Sequence, residues 1–233
     1  MSAVTYGTRR AELETYFDRT AAQAWEKLTS DAPVGRIRAT VRAGRDSMRA
    51  TLLGWLPQDL SGRRVLDAGC GTGAFSVEAA RRGADVVAVD LSGTLLATAR
   101  DRLPADIASR ITFRVGDMRE AASFGRFDHV VAMDSLIHYP SREIAAVLAA
   151  FADCTTRSIV YTIAPRTPSL SVMHAVGRLF PRGDRAPAIE PVSSATISAR
   201  LADQPSLSGW GECRSFRVNT GFYKSQAQEL VRA

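Results

Sequence analysis

The chain has 233 residues, of which 45% are hydrophobic and 23% charged, the balance of a globular protein with a substantial core. No apolar run approaches the roughly 20 residues that span a bilayer, and no signal peptide opens the chain. The three cysteines (Cys70, Cys154, Cys213) lack metal-ligand spacing and are odd in number, so a disulfide framework is not expected and a reduced, cytoplasmic setting is.

The formal net charge is +6, and of 30 basic residues only Lys27 and Lys224 are lysine. An arginine-rich balance favours bidentate recognition of carboxylates and phosphates. A nucleic-acid partner is the obvious alternative, but the chain does not interleave aromatic with basic residues, and none is expected.

From the N-terminus, residues 8–30 predict a helix, with Leu13, Tyr16, Phe17, Ala24 and Leu28 at compatible spacing. Residues 36–56 predict a second, ending at Pro57. Arg38, Arg42, Arg45 and Arg49 follow one another at intervals of four, three and four and so share one face. That stripe can hold anionic groups of a ligand, dock on an acidic surface, or be a solvated face.

The stretch from Val65 to Ser92 is the most informative. An apolar strand enters a turn with glycines at 69, 71 and 73, a helix follows, and a second apolar strand (Val86 to Val89) stops at Asp90. Glycines allow a tight turn and close approach of a ligand. A carboxylate ending the second strand can accept hydrogen bonds from ribose hydroxyls. Asp67, just before the glycines, would repel a pyrophosphate but attract an ammonium group. Further along, strands at Ile111–Val115 and Phe127–Met133 run into Asp117 and Asp134. A helix from Glu143 to Ala152 with Ser141 as N-cap precedes a fifth strand, Ser158 to Ala164. An irregular stretch, Pro165 to Pro191, holds five of the ten prolines. A helix at 193–203 and a hairpin of Cys213–Val218 with Thr220–Ser225 close the chain.

The Asp-x-Gly-x-Gly-x-Gly arrangement resembles motif I of the class I S-adenosylmethionine (SAM) methyltransferases, with a phosphate-binding dinucleotide turn as the competing reading. Asp90 and Gly116-Asp117-Met118 match later motifs of that class. The resemblance implies SAM as cofactor, held by Asp67, Gly69, Gly71, Gly73, Asp90, Leu91, Asp117, Met118 and Asp134, with Asp117 meeting the adenine amine. After the fourth strand the chain reads Asp134-Ser135-Leu136-Ile137-His138-Tyr139-Pro140, without the Asn-Pro-Pro-Tyr type motif of amino-methylating relatives.

Tyr16-Phe17-Asp18-Arg19-Thr20-Ala21 with Trp25, the same Asp134–Pro140 run, Ala164-Pro165-Arg166-Thr167 and Gly177-Arg178-Leu179-Phe180-Pro181 are together similar to the magnesium protoporphyrin IX methyltransferases. The run Ala186 to Glu190 departs from that pattern. The resemblance implies an α/β fold: a Rossmann-like, seven-stranded class I methyltransferase sheet with an antiparallel last strand. Residues 1–60 would form an N-terminal helical cap, and residues 61–233 the SAM-binding domain with a substrate-side insertion at 165–191. It further implies methylation of a propionate of magnesium protoporphyrin IX in (bacterio)chlorophyll synthesis. Tyr16 and His138 would act on the acceptor, with no protein-bound metal, and the large porphyrin-binding subunit of magnesium chelatase would be the donor partner. Leu170, Met173, Val176, Leu179 and Phe180 would cover a macrocycle, touch a membrane surface peripherally, or be core; His129 and His174 are expected to be structural. Two alternatives stand beside this: methylation of another small apolar acid or phenol of quinone type, and a non-catalytic SAM-binding accessory.

Overall fold

The computed structural model describes residues 6–20, 35–166 and 188–233. The second half of the first expected helix, with Trp25, lies outside the described residues. So does the 167–187 part of the insertion, with His174 and the apolar positions from Leu170 to Phe180.

Five parallel strands, β1 (Arg64–Ala68), β2 (Asp85–Asp90), β3 (Ile111–Val115), β4 (Phe127–Ala132) and β5 (Thr155–Ile163), join an antiparallel pair, β6 (Trp210–Thr220) and β7 (Tyr223–Arg232). The sheet order is β3-β2-β1-β4-β5-β7-β6. Winding runs outward from β1 in one direction and restarts at β4 in the other. The connections leaving β1 and β4 therefore diverge and open a crevice at the carboxyl ends of the strands.

Helices α1 (Tyr6–Thr15), α2 (Arg36–Trp55), α3 (Ala74–Arg81), α4 (Gly93–Asp101), α5 (Ser141–Cys154) and α6 (Ser194–Ala202) surround the sheet. Neighbouring strand residues divide between its faces. Leu66, Val130 and Ile159 join one core cluster, while Val65, Val131 and Val160 join the other. Continuous apolar runs such as Val86–Val89 are what a strand buried on both faces requires. Among the described residues no helix is long and apolar enough to cross a membrane.

Several boundaries differ from expectation for identifiable reasons. The first helix stops at Thr15 and passes into a π-helical turn, Tyr16–Thr20. Helix α5 begins at Ser141 with Pro140 in the capping place and no side-chain cap bond, so the expected Ser141 cap does not form. Strand β5 starts at Thr155, which pairs with Phe127 ahead of an irregularity in the ladder. The closing hairpin is longer and shifted: it turns at Gly221-Phe222, with Gly221 at φ +56°. Its second strand, expected at Thr220–Ser225, runs on to Arg232; Gln226, Gln228 and Glu229 hide that extension by breaking the apolar pattern while being buried. Glu229 is buried against Arg214, whose guanidinium donates to both carboxylate oxygens at 2.6 Å.

Candidate active site

The turn after β1 is tied directly to β2. Gly69 N and Cys70 N both donate to Val89 O, at 2.8 and 3.0 Å. Gly69 has φ +81°, and a side chain there would run into Ser135 of the loop after β4, so only glycine lets the two loops approach. Gly71 N donates to Asp90 Oδ2 at 2.8 Å and Ser92 N to Asp90 Oδ1 at 2.9 Å, which orients the Asp90 carboxylate. Burial raises the pKa of that carboxyl, and the nearby Asp18 adds to the effect. Asp67 is more deeply enclosed, with only 1% exposure, and accepts a bond from Ser76 Oγ at 2.6 Å. Desolvation pushes its pKa to about 7 despite that bond.

A cavity of about 510 Å³ extends from this turn toward α2 and the β6–β7 hairpin. Asp67, Gly69, Gly71, Asp90, Leu91 and Met118 face it, as does Asp134. Two expected cofactor positions do not. Gly73 serves instead as the left-handed N-cap of α3, at φ +79°. Asp117 is turned toward α1: its carboxylate accepts from Tyr6 Oη at 2.5 Å and forms an ion pair with Arg10, whose Nε is 3.1 Å away, while Gly116 and Met118 line the cavity beside it. Asp134 was expected to serve the cofactor, yet its carboxylate accepts bonds from Arg45, Tyr223, Ser225 and Thr162. No motif pointed to this cluster, which draws on α2, β5 and β7. The sequence signals were Asp134 itself and the periodic arginine face that includes Arg45, neither of which shows that the two meet.

The expected acceptor residues meet on the same cavity. Tyr16 and Phe17 come from the π-helical turn, their rings edge-to-face with centroids 5.1 Å apart. That turn is fastened over the cofactor loop by Asp18, which accepts from Ser92 Oγ at 2.5 Å and Thr94 N at 3.2 Å, beside the N-terminus of α4. His138 lies in a short turn after β4, 9% exposed, with its ring edge-to-face to Phe17 at 6.4 Å. Its Nδ1 is 3.3 Å from the carbonyl of Ala188. A carbonyl only accepts, so Nδ1 carries the proton, and in the neutral ring the lone pair sits on Nε2. The end of the insertion is held there by Glu190 N donating to Ile137 O at 2.8 Å.

The arginine stripe divides. Arg42, Arg45 and Arg49 line the cavity, whereas Arg38 is exposed and does not. His129 is structural, as expected: it bonds Ser158 Oγ at 2.7 Å, and burial lowers its pKa to about 4. Among the described residues no group of three His, Cys, Asp or Glu is placed to hold a metal ion. SAM suits the glycine-turn end on two counts. The enclosed, desolvated Asp67 is the environment an ammonium would re-ionise, and the Asp90 carboxylate is aimed by two backbone donors.

Comparison with known proteins agrees with this layout. Residues 132–232 match the family described as magnesium-protoporphyrin IX methyltransferase C-terminus, and residues 65–157 match a methyltransferase domain. The chain is 48% identical to a magnesium-protoporphyrin O-methyltransferase of Rhodobacter capsulatus, over 96% of this chain and 97% of that one. It is 30% identical to the Synechocystis enzyme of the same name, over 94% of each. The crystal structure of the Synechocystis magnesium protoporphyrin IX methyltransferase with bound SAH superposes with a TM-score of 0.81 at 29% identity, covering 97% of this chain and 100% of that one. Both ends of the cavity, and the helices that wall it, thus lie within one end-to-end likeness, and the chain belongs to the magnesium protoporphyrin IX O-methyltransferase family.

Proposed function

We infer that this protein transfers a methyl group from SAM to a propionate carboxylate of magnesium protoporphyrin IX, giving the monomethyl ester. The observation that carries the reading is a single cavity joining the Asp67–Asp90 turn to Tyr16, His138 and the arginine-bearing face of α2. In this reading residues 1–60 act as its cap and residues 61–233 as the SAM-binding domain.

A carboxyl group of pKa about 4 to 4.5 is already ionised at neutral pH, so the acceptor needs no strong base. Bound SAM supplies a methyl group on a sulfonium: a propionate oxygen attacks that carbon, the carbon–sulfur bond breaks with its pair going to sulfur, and an ester and a neutral thioether result. The chain's part is to hold the reactants in line and exclude competing water. Asp67 would take the ammonium and Asp90 the ribose hydroxyls, with Leu91 and Met118 against the adenine. Tyr16 would cover the reacting groups, and His138 would orient the propionate.

Incubating the purified protein with labelled SAM and magnesium protoporphyrin IX should give a labelled porphyrin heavier by one methylene unit. SAM binding without any porphyrin product would overturn the reading in favour of an accessory role. Methylation of a quinone-type phenol but not of the porphyrin would make this a quinone-pathway enzyme. The porphyrin is apolar and poorly soluble, which favours direct handover from the large porphyrin-binding subunit of magnesium chelatase and peripheral contact with a membrane surface. Co-sedimentation with that subunit and with vesicles tests each.

A further inference from the structure

We propose that Arg45, held in place by Asp134 and Tyr223, binds the propionate that is not methylated and so selects a dicarboxylate substrate. This rests on the porphyrin reading above and adds to it a residue and a role.

Arg45 lines the cavity with its side chain 20% exposed, and its Nη1 donates to Asp134 Oδ2 at 2.7 Å. A guanidinium has five N–H donors in a planar fork, and the bond to Asp134 fixes where that fork sits on the cavity wall. Asp134 is itself strongly constrained. It has φ +55°, the only non-glycine residue at positive φ among those described, and its amide donates to Thr162 Oγ1 at 2.7 Å. Tyr223 Oη donates to its two carboxylate oxygens at 2.9 and 3.0 Å, and Ser225 Oγ donates to Oδ1 at 3.2 Å. An unusual backbone conformation held by several surrounding bonds is what sites under functional constraint show.

Gly44, the residue before Arg45, carries the arrangement further. A β-carbon there would sit 2.5 Å from Tyr223 Cδ1 and 2.7 Å from its Cβ. Glycine inside a helix costs about 1 kcal/mol relative to alanine, and here it lets α2 press against β7 so that Arg45 and Tyr223 reach the same carboxylate. A partly buried ion pair adds little as a stability device. Placed on a cavity wall, it is a means of fixing a cation.

The chemistry decides which carboxylate the cation serves. The reacting propionate loses its charge as the ester forms. A guanidinium on that oxygen would stabilise the ground state more than the transition state and slow transfer. The other propionate stays anionic throughout, so binding it strongly does not oppose the reaction. Among the described residues, α2 brings Arg42, Arg45 and Arg49 to the cavity wall and β7 brings Lys224, with Asp46 and Asp134 beside them, so the α2 end of the cavity carries the cationic side chains that a second carboxylate needs.

The test compares kcat/KM for magnesium protoporphyrin IX with that for the faster of its two monoamides, in which one propionate is a primary amide. The wild type should prefer the diacid by about 10- to 100-fold, the range for a charge-assisted hydrogen-bonded pair. In Arg45→Gln this preference should fall to within about threefold of unity, mainly through a raised KM for the diacid, while Arg45→Lys should keep part of it. A variant that loses rate equally on both substrates, leaving the preference intact, overturns the proposal. If Arg45→Gln fails to fold, Tyr223→Phe removes only the hydroxyl that steadies Asp134 and should reduce the preference; an unchanged ratio there overturns the proposal as well. Failure of the wild type to methylate the diacid would instead overturn the substrate reading.

Discussion

Asp67 and His138 each carry a proton question that their surroundings answer with a definite sign. For Asp67, burial raises the pKa from 3.8 to about 7. Between those values the native protein holds a proton that the unfolded chain lacks, so this group makes the ligand-free protein less stable as pH rises from about 4 to about 7. An ammonium beside Asp67 favours its ionised form, so SAM binding below pH 7 should expel that proton. Calorimetry at pH 6 in buffers of differing ionisation enthalpy should read a release approaching one proton, abolished in Asp67→Asn. No release in the wild type would show that the ammonium lies elsewhere. For His138, the bond from Nδ1 to Ala188 O leaves no proton on Nε2 of a neutral ring. It can therefore donate through Nε2 to an ionised propionate only as imidazolium. Positioning thus predicts a wild-type kcat/KM that falls as pH rises through the histidine's titration, and a general base predicts one that rises. His138→Asn should lack the limb and stay within about 100-fold of wild type, at the low end of a lost base; a rising limb with a larger loss would make His138 the base. Asp67 stood out in the sequence because a glycine turn has a local signature, and His138 through the resemblance that the Asp134–Pro140 run carries. The tautomer did not, since it depends on a carbonyl fifty residues further on.

Local pattern foretold α2 almost to its ends, and missed its purpose. Gly44, Met48 and Leu52 are buried at intervals of four, the stripe by which the helix packs on the sheet. The arginines beside that stripe were visible as a periodic face, but periodicity cannot say what a face meets; Arg45 needed β5 and β7 in place to find Asp134. Two glycines on this one helix give opposite predictions. At Gly44 a methyl would strike the Tyr223 ring and Cβ, so Gly44→Ala should destabilise by about 1–3 kcal/mol, the cost of overpacking. At Gly54 nothing lies within 4 Å of an added β-carbon, so Gly54→Ala should stabilise by about 1 kcal/mol through helix propensity. Urea unfolding of the two variants reads this directly, and shifts of the same sign would mean that α2 does not press on β7. The hairpin shows the converse limit. Its first strand was largely legible, but the register of the second follows from burying Glu229 against Arg214 and Gln226 beside Ser194 and Ser215. Such polar partners leave no alternation to read.

Across the whole molecule, the proposed division into a cap of residues 1–60 and a domain of residues 61–233 does not follow the packing of the core. Met48, Leu52, Leu53 and Leu56 belong to the same buried cluster as Val65, Phe75 and Val131 of the sheet domain. Helix α2 is therefore part of the core, covering one face of β6 and β7, and removing it would expose those strands together with the apolar surface of α3. Helix α1 is attached differently. It docks by Leu13, by Tyr6 stacked on Tyr139 with centroids 4.9 Å apart, and by ion pairs from Arg9 and Arg10 to Glu190 and Asp117. Partly exposed ion pairs contribute little each, so most of its hold comes from two side chains, each contributing about 1.5–3 kcal/mol when fully buried. A chain lacking residues 1–20 should thus remain folded with a lowered Tm and still bind SAM, though it loses Tyr16 and the Asp18 bonds above the cofactor loop. A chain lacking residues 1–56 should lose cooperative melting altogether, because it forfeits several buried side chains against a net stability of only about 5–15 kcal/mol. Differential scanning calorimetry of the two truncations separates the cases. A sharp transition in the shorter chain would make α2 a detachable cap, and with it the close packing of Gly44 on Tyr223 would lose its structural importance.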